Sequence, residues 1–201
     1  MDDKVPGPNS SALGTQLNRQ EPAVQSVNVS LVRASESDEG TLRNLLHLYV
    51  HDFSEFLGMK PSEEGWFSYP ALPLYWSEAN RAAFFVRSEG DLVGFAFVSQ
   101  GSVVSGDPAV FDLAEFFVVR GVRRRGVGQA AAHDLFRAMP GEWEIRVAEY
   151  NVPAQQFWRN VIERYAGSRH KIEAWNRDDG SRWNVMRFTS PGEPGGGLLG
   201  A

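Results

Sequence analysis

The sequence predicts a mixed α/β domain, a sheet flanked by helices. Three observations predict it. Short runs rich in β-branched and aromatic residues recur between turn signals. Three longer stretches carry apolar residues at helical spacing, each opening on a cap, a glycine turn or an early proline. The resulting order is β, α, loop, β, β, β, α, β, α, β, β, which mixes hairpins with strand–helix–strand units.

Each element follows from local chemistry. Residues 27–34, VNVSLVRA, alternate as a strand. In SDEGTLRNLLHLYVHDFSEFL, Ser37 is the expected N-cap, with acids in the first turn. Leu42, Leu45, Leu46, Tyr49, Phe53 and Phe56 then recur on one inward face. Residues 57–80 form a long connection with room for a short helix, and carry Trp66, Phe67, Tyr69, Tyr75 and Trp76. Long aromatic loops in compact domains are often binding elements. RAAFFVRS (81–88) and DLVGFAFVS (91–99) read as a hairpin about Glu89-Gly90. DLAEFFVV (112–119) is nearly continuously apolar, which suits a strand covered on both faces. GVGQAAAHDLFRAM reads as a helix ending near Pro140-Gly141. EWEIRVAEY (142–150) follows as a strand, then VPAQQFWRNVIERY as a helix with Pro153 in its first turn. HKIEAWNR and SRWNVMRF close the domain as a hairpin about Asp179-Gly180. One domain therefore spans residues 27–190. Residues 1–26 and 191–201, rich in Gly, Pro and small polar residues, read as flexible tails.

Composition excludes several functions. Apolar residues make up 42% of the 201, enough for a core. Net charge is −5, which argues against a nucleic-acid binder, since such proteins carry a basic balance. The absence of cysteine excludes disulfides, zinc–thiolate sites and thiol nucleophiles, and fits a reducing cytoplasm. MDDKVPGPNSSALG has no basic start or apolar run of a signal peptide, and no apolar stretch approaches membrane-spanning length.

Against that acidic background stands RGVRRRGVGQ, residues 120–129, between an apolar strand and a helix start. Helix N-termini present unpaired N–H groups and the positive end of the dipole. Glycines let a ligand approach the backbone, so a diphosphate suits such a turn. The spacing Arg123-x-x-Gly126-x-Gly128 matches neither the Walker A loop nor the dinucleotide G-x-G-x-x-G. Taken alone, it reads equally well as a solvated basic turn.

A second motif separates those readings. Asn151-Val-Pro-Ala154-Gln-Gln-Phe157-Trp158 follows the next strand and opens the next helix. Together the two segments resemble the GNAT acetyltransferase superfamily, with R-x-x-G-x-G after the fourth strand and N-x-x-A-x-x-F-aromatic in the following helix. EFFVV adds a likeness to the bacterial branch of predicted acetyltransferases. The resemblance implies a GNAT-like, mostly antiparallel sheet whose central strands splay near Val119 and Glu149. It also implies acetyl-CoA as cofactor. The backbone of Phe117, Val118 and Val119 would pair with the pantetheine arm. Arg124, Arg125, Gly126, Val127, Gly128 and Gln129 would wrap the pyrophosphate, and Arg123 would hold that loop. Asn151 and Ala154 would line the pantetheine arm.

The implied reaction is transfer of acetyl to a primary amine by direct attack in a ternary complex. Val118 N–H would polarise the thioester carbonyl. Glu115 is the candidate base. Many relatives carry a tyrosine where Trp158 stands, and indole cannot release a proton. Tyr150, Tyr165 or water would then protonate the leaving thiolate. Asp52, Glu55, Trp66, Tyr69 and Tyr75 are candidate acceptor-site residues, either for a small-molecule or a protein amine. His47 and His51 share H-x-x-x-H spacing but lie opposite the apolar face with no third ligand, so no metal site is expected. His133 reads as a surface residue. The alternative function is a CoA-binding sensor or sequestering module without turnover. A homodimer is left open; no nucleic-acid or membrane partner is expected.

Overall fold

The computed structural model describes residues 27–191. The expected tails lie outside that range, save Pro191. Its elements are β1 (Val29–Arg33), α1 (Glu39–Leu57), α2 (Leu74–Ser77), β2 (Arg81–Ser88), β3 (Asp91–Gln100), β4 (Phe111–Val118), α3 (Val127–Ala138), β5 (Gly141–Ala148), α4 (Val152–Ala166), β6 (His170–Asn176) and β7 (Arg182–Ser190). Their order is the one read from the sequence. Among the described residues no helix is long and apolar enough to cross a membrane.

The seven strands form one sheet in the order β1-β2-β3-β4-β5-β7-β6. Every neighbouring pair is antiparallel except β4 and β5. Strand alternation sends side chains to two separate cores. Ala83, Phe85, Phe95 and Phe97 meet Leu42, Leu45 and Leu46 of α1 on one face. Ala82, Phe84, Ala96, Trp143 and Ile145 meet Leu135 and Phe136 of α3 and Ile162 of α4 on the other.

The start of α1 departs from expectation. Ser37 is not its cap; a short 3₁₀ turn, Glu36–Asp38, precedes the helix. Asp38 takes both the N–H and the hydroxyl of Ser35, each at 2.9 Å. Ser37 only pairs its hydroxyl with that of Ser35.

Two features open the middle of the sheet. Phe97 pairs with Glu115 but Val98 pairs with Leu113, so Ala114 is an extra residue, a β-bulge. Before the bulge, Phe111 and Leu113 face the α3/α4 core; beyond it, Phe116 does, and Phe117 faces α1. The bulge thereby turns Glu115 to the α1 side. The second feature is pairing: β4 and β5 are joined only at Phe111–Trp143 and Asp112–Glu144. Past those two pairs the parallel strands diverge. On its other edge β4 stays close to β3, and a Cβ on Gly94 would collide with the Phe117 carbonyl oxygen.

Candidate active site

The carboxyl ends of β4 and β5 point the same way, and each runs into a helix start. Ligands of open α/β sheets bind at such points. After β4 the chain makes a 3₁₀ turn, Arg120–Val122, then takes left-handed conformations at Arg124 (φ 63°) and Gly126 (φ 85°). Gly126 is the N-cap of α3 and no side chain caps the helix. The first ladder bond runs from Ala130 N–H to Gly126 C=O. The N–H groups of Arg124 through Gln129 donate to no acceptor among the described residues. Val127 is buried and seats the helix start, while Arg124 and Arg125 are exposed. A Cβ on Gly128 would lie 3.2 Å from Phe157 Cζ, so α3 and α4 approach closely there. Gln129 accepts from Arg164 of α4 at 2.5 Å. This donor set, left-handed turn and bare approach fit a diphosphate.

Arg123 holds the base of the turn. Its Nε donates to Val118 C=O at 2.6 Å, and its Nη2 to Asp52 at 2.6 Å. Asp52 also pairs with Arg120 at 2.9 Å. Burial pulls the Asp52 pKa up, but hydrogen bonds from Arg123 and Arg120 outweigh it and hold it below the ordinary aspartate value. This corrects the acceptor-site expectation for Asp52: both carboxylate oxygens are committed to arginines of the turn.

The ladder decides which backbone groups face the gap. Val119 N–H donates to Val93 C=O at 2.9 Å, and Phe117 pairs with Phe95. Antiparallel alternation therefore commits Phe117 and Val119 to β3, and turns the N–H groups of Phe116 and Val118 toward β5. Of the three residues expected at the gap, only Val118 has its N–H there; Phe116 is the one missed.

After β5, Asn151 caps α4, its Oδ1 accepting from Ala154 N–H at 3.1 Å. Phe157 stacks on Phe116 with centroids 6.1 Å apart, and Trp158, 7% exposed, meets Phe116 edge-on. Trp158 is thus a core residue beside the gap. Tyr165 bonds the Ser190 hydroxyl and does not border the gap. Tyr150 does; its ring stands 5.5 Å from Phe56.

A cleft of about 630 Å³ passes through the gap, from Ala154 and Trp158 on one face to α1 on the other. On the α1 side it is walled by Tyr49, Phe53, Tyr69, Glu115, Arg146 and Trp183. Glu115 accepts from the hydroxyls of Tyr49 and, at 2.8 Å, Tyr69. Burial pushes the Glu115 pKa up, and the two tyrosine hydrogen bonds only partly offset it. Burial likewise raises both tyrosines, with the Glu115 charge adding to it. Beneath lies a buried ion network: Arg146 forks onto Asp112 at 2.9 and 2.7 Å, and Arg187 bonds Glu144 at 3.1 Å. Tyr49 and Arg146 were not singled out from sequence. Arg146 left a signal, since Glu144 and Arg146 alternate with Trp143, Ile145 and Val147 along a strand with one apolar face.

Other expected acceptor residues fall elsewhere. Glu55 is exposed and does not border the cleft. Trp66 packs on His47 and lines a separate cavity of about 350 Å³. Tyr75 is core, 4.2 Å from Phe97, because α2 lays it against the sheet. Only Tyr69 of the loop aromatics expected there reaches the cleft. His47 is not on a solvated face; it accepts from Phe67 N–H at 3.1 Å and pins the loop. His133 is half-buried, with Nε2–H donating to Val161 C=O at 2.9 Å. Among the described residues no cluster of His, Asp and Glu could hold a metal.

Comparison with known proteins extends this geometry. The family model described as "Acetyltransferase (GNAT) family" matches residues 42–161. No curated protein matches the chain. Among solved structures, the aminoglycoside acetyltransferase AAC(6')-Ib in complex with coenzyme A aligns with a TM-score of 0.59 and 14% identity, over 81% of this chain and 95% of that one. Spermidine N-acetyltransferase from Vibrio cholerae, in complex with CoA and spermine, gives 0.56 and 11% over the same shares, 81% and 95%. The ribosomal-protein-S18-alanine N-acetyltransferase from Escherichia coli gives 0.52 and 12% over 84% and 97%. At such identities these structures speak for the fold, whereas the family match covers both the arginine–glycine turn and the start of α4: the chain belongs to the GNAT acetyltransferase family, whose members are acyltransferases that use acetyl-CoA.

Proposed function

We propose that this chain transfers acetyl from acetyl-CoA to a primary amine by direct attack with both substrates bound. One observation carries the reading: a single cleft links the unpaired edge of β4 at Leu113–Phe116, and the start of α4 at Asn151 and Ala154, with the buried carboxylate of Glu115. When bound, acetyl-CoA supplies a thioester, an acyl group activated toward amines. Arg124, Arg125, Gly126, Val127, Gly128 and Gln129 hold its diphosphate, chiefly through N–H groups. Asp52 and Arg123 keep that turn in shape. Phe116 and Val118 offer N–H donors along the gap, and Val118 is suited to polarise the carbonyl. Asn151 and Ala154 form the wall opposite.

Glu115 takes the amine's proton, directly or through water. Its burial suits that task, since a raised pKa brings a carboxylate closer to neutral pH. Tyr49 and Tyr69 position it. As the N–C bond forms and the C–S bond breaks, Tyr150 would give a proton to the departing sulfur, and the second proton shed by the nitrogen would restore the phenol. Burial raises the Tyr150 pKa, so its phenol stays protonated at neutral pH. The absence of cysteine and the use of acetyl-CoA fit a cytoplasmic enzyme. The test is thiol release from acetyl-CoA with a panel of amines, each amine raising the rate above hydrolysis if the reading holds. Binding of CoA without release for any amine would favour the sensor alternative, to which Trp158 in place of tyrosine lends its support.

A further inference from the structure

The charges lining the cleft narrow the acceptor. Among the described residues its only lining carboxylates are Glu115 and Asp179, and its lining cations are Arg146 and Arg177. Asp179 is already engaged: it accepts from Ser181 N–H at 2.9 Å and from the Ser181 hydroxyl at 2.5 Å, and pairs with Arg177 at 3.7 Å. Nearby, Asp52 is committed to Arg120 and Arg123, and Glu149 to Arg182 at 3.4 Å, while Glu55 and Asp178 are exposed and do not line the cleft. So Glu115, whose partners are the hydroxyls of Tyr49 and Tyr69 and no arginine, is the lining carboxylate left for an ammonium. A polycation would find no second lining carboxylate without an arginine partner.

The mouth is apolar instead. Leu57 is 51% exposed, Met59 40% and Tyr150 41%, and all three border the cleft. Phe56, its ring tilted against Tyr150, extends the patch, and Phe53 continues it inward. Exposed apolar side chains gathered at the entrance of a cleft mark a surface that a ligand covers.

We infer, resting on the transferase reading, that the acceptor is a small monoamine carrying an apolar, aromatic-sized body: the ammonium meets Glu115 and the body covers Leu57, Met59 and Tyr150. This sets the chain apart from the spermidine and aminoglycoside enzymes that share its fold. Each methylene buried at the mouth improves binding by about three- to fourfold.

The test measures kcat/KM by thiol release for butylamine, hexylamine, 2-phenylethylamine and tryptamine, against spermidine, kanamycin and a peptide beginning with phenylalanine. The inference expects the arylalkyl amines to exceed spermidine and kanamycin by at least about tenfold, with hexylamine well above butylamine. Leu57→Asp should then narrow the gap to spermidine, by weakening one class and attracting the other. A polycation preferred by the native chain, a flat alkyl series, or the peptide preferred tenfold over 2-phenylethylamine would each overturn the inference while leaving acetyl transfer intact. No release with any amine, although calorimetry detects CoA binding, would sink the transferase reading and this one with it.

Discussion

Glu115→Gln separates chemistry from fold. The amide keeps the carboxylate's shape: its oxygen can accept from one tyrosine, and its NH₂ can donate to the other tyrosine's oxygen. What disappears is the proton acceptor. A primary amine with a pKa near that of lysine, about 10.4, is unprotonated in only a few parts in ten thousand at pH 7. The variant must draw on that fraction alone. The expected loss in kcat/KM at pH 7 is therefore about 10²- to 10⁴-fold. It should shrink by about tenfold per pH unit toward the amine pKa. Stability should move the other way. Burial raises the Glu115 pKa, so between the unfolded and folded values the native chain binds more protons. Stability then falls as pH rises through that window, and removing the group abolishes this cost. Thermal unfolding at pH 8 should show an unchanged or higher midpoint for the variant. A pH–rate profile parallel to that of the native enzyme would refute Glu115 as the base. A lowered midpoint would trace the activity loss to structure.

Asp52→Asn breaks two exposed ion pairs, each worth about 0.2–1 kcal/mol, so CoA affinity by calorimetry should fall roughly two- to thirtyfold with little change in melting. Because the Asp52 pKa is lowered, the native contact should persist above the ordinary aspartate range and be lost only as pH falls below it; affinity unchanged in the variant would detach α1 from the turn. Gly128→Val sets branched carbons against Phe157 and blocks approach to the backbone, and should weaken CoA binding by about a hundredfold or more with native circular dichroism. Retained affinity would remove the turn from the cofactor site. Tyr150→Phe should lower kcat about ten- to a hundredfold with KM little changed; an unaltered kcat would assign the leaving-group proton to water.

The legible parts of this protein were the local ones. Alternation in RAAFFVRS and DLVGFAFVS, the Glu89-Gly90 turn and the helix start after RGVRRRGVG each depend on neighbours in the chain. The family resemblance then located the gap between β4 and β5. What sequence could not convey depended on partners far away. Ala114 is an extra residue only in relation to β3, yet that bulge decides that Glu115 faces α1. Asp52 looked free for a cationic substrate until folding brought it to Arg120 and Arg123. Tyr69 and Tyr75 come from one aromatic loop, and only the path of α2 sends one to the cleft and the other into the core. The unassuming Tyr49 belonged to an apolar stripe whose inner end happens to meet a carboxylate.

The most direct test is a stoichiometric one. The purified chain, acetyl-CoA carrying an isotope-labelled acetyl group, and 2-phenylethylamine are mixed, and free thiol and N-acetylated amine are measured together. The account predicts equal amounts of labelled amide and thiol, initial rates that require both substrates together, and no acetylated protein. Tight CoA binding with neither product formed from this or any other amine, or label trapped on the protein before amine is added, would contradict it.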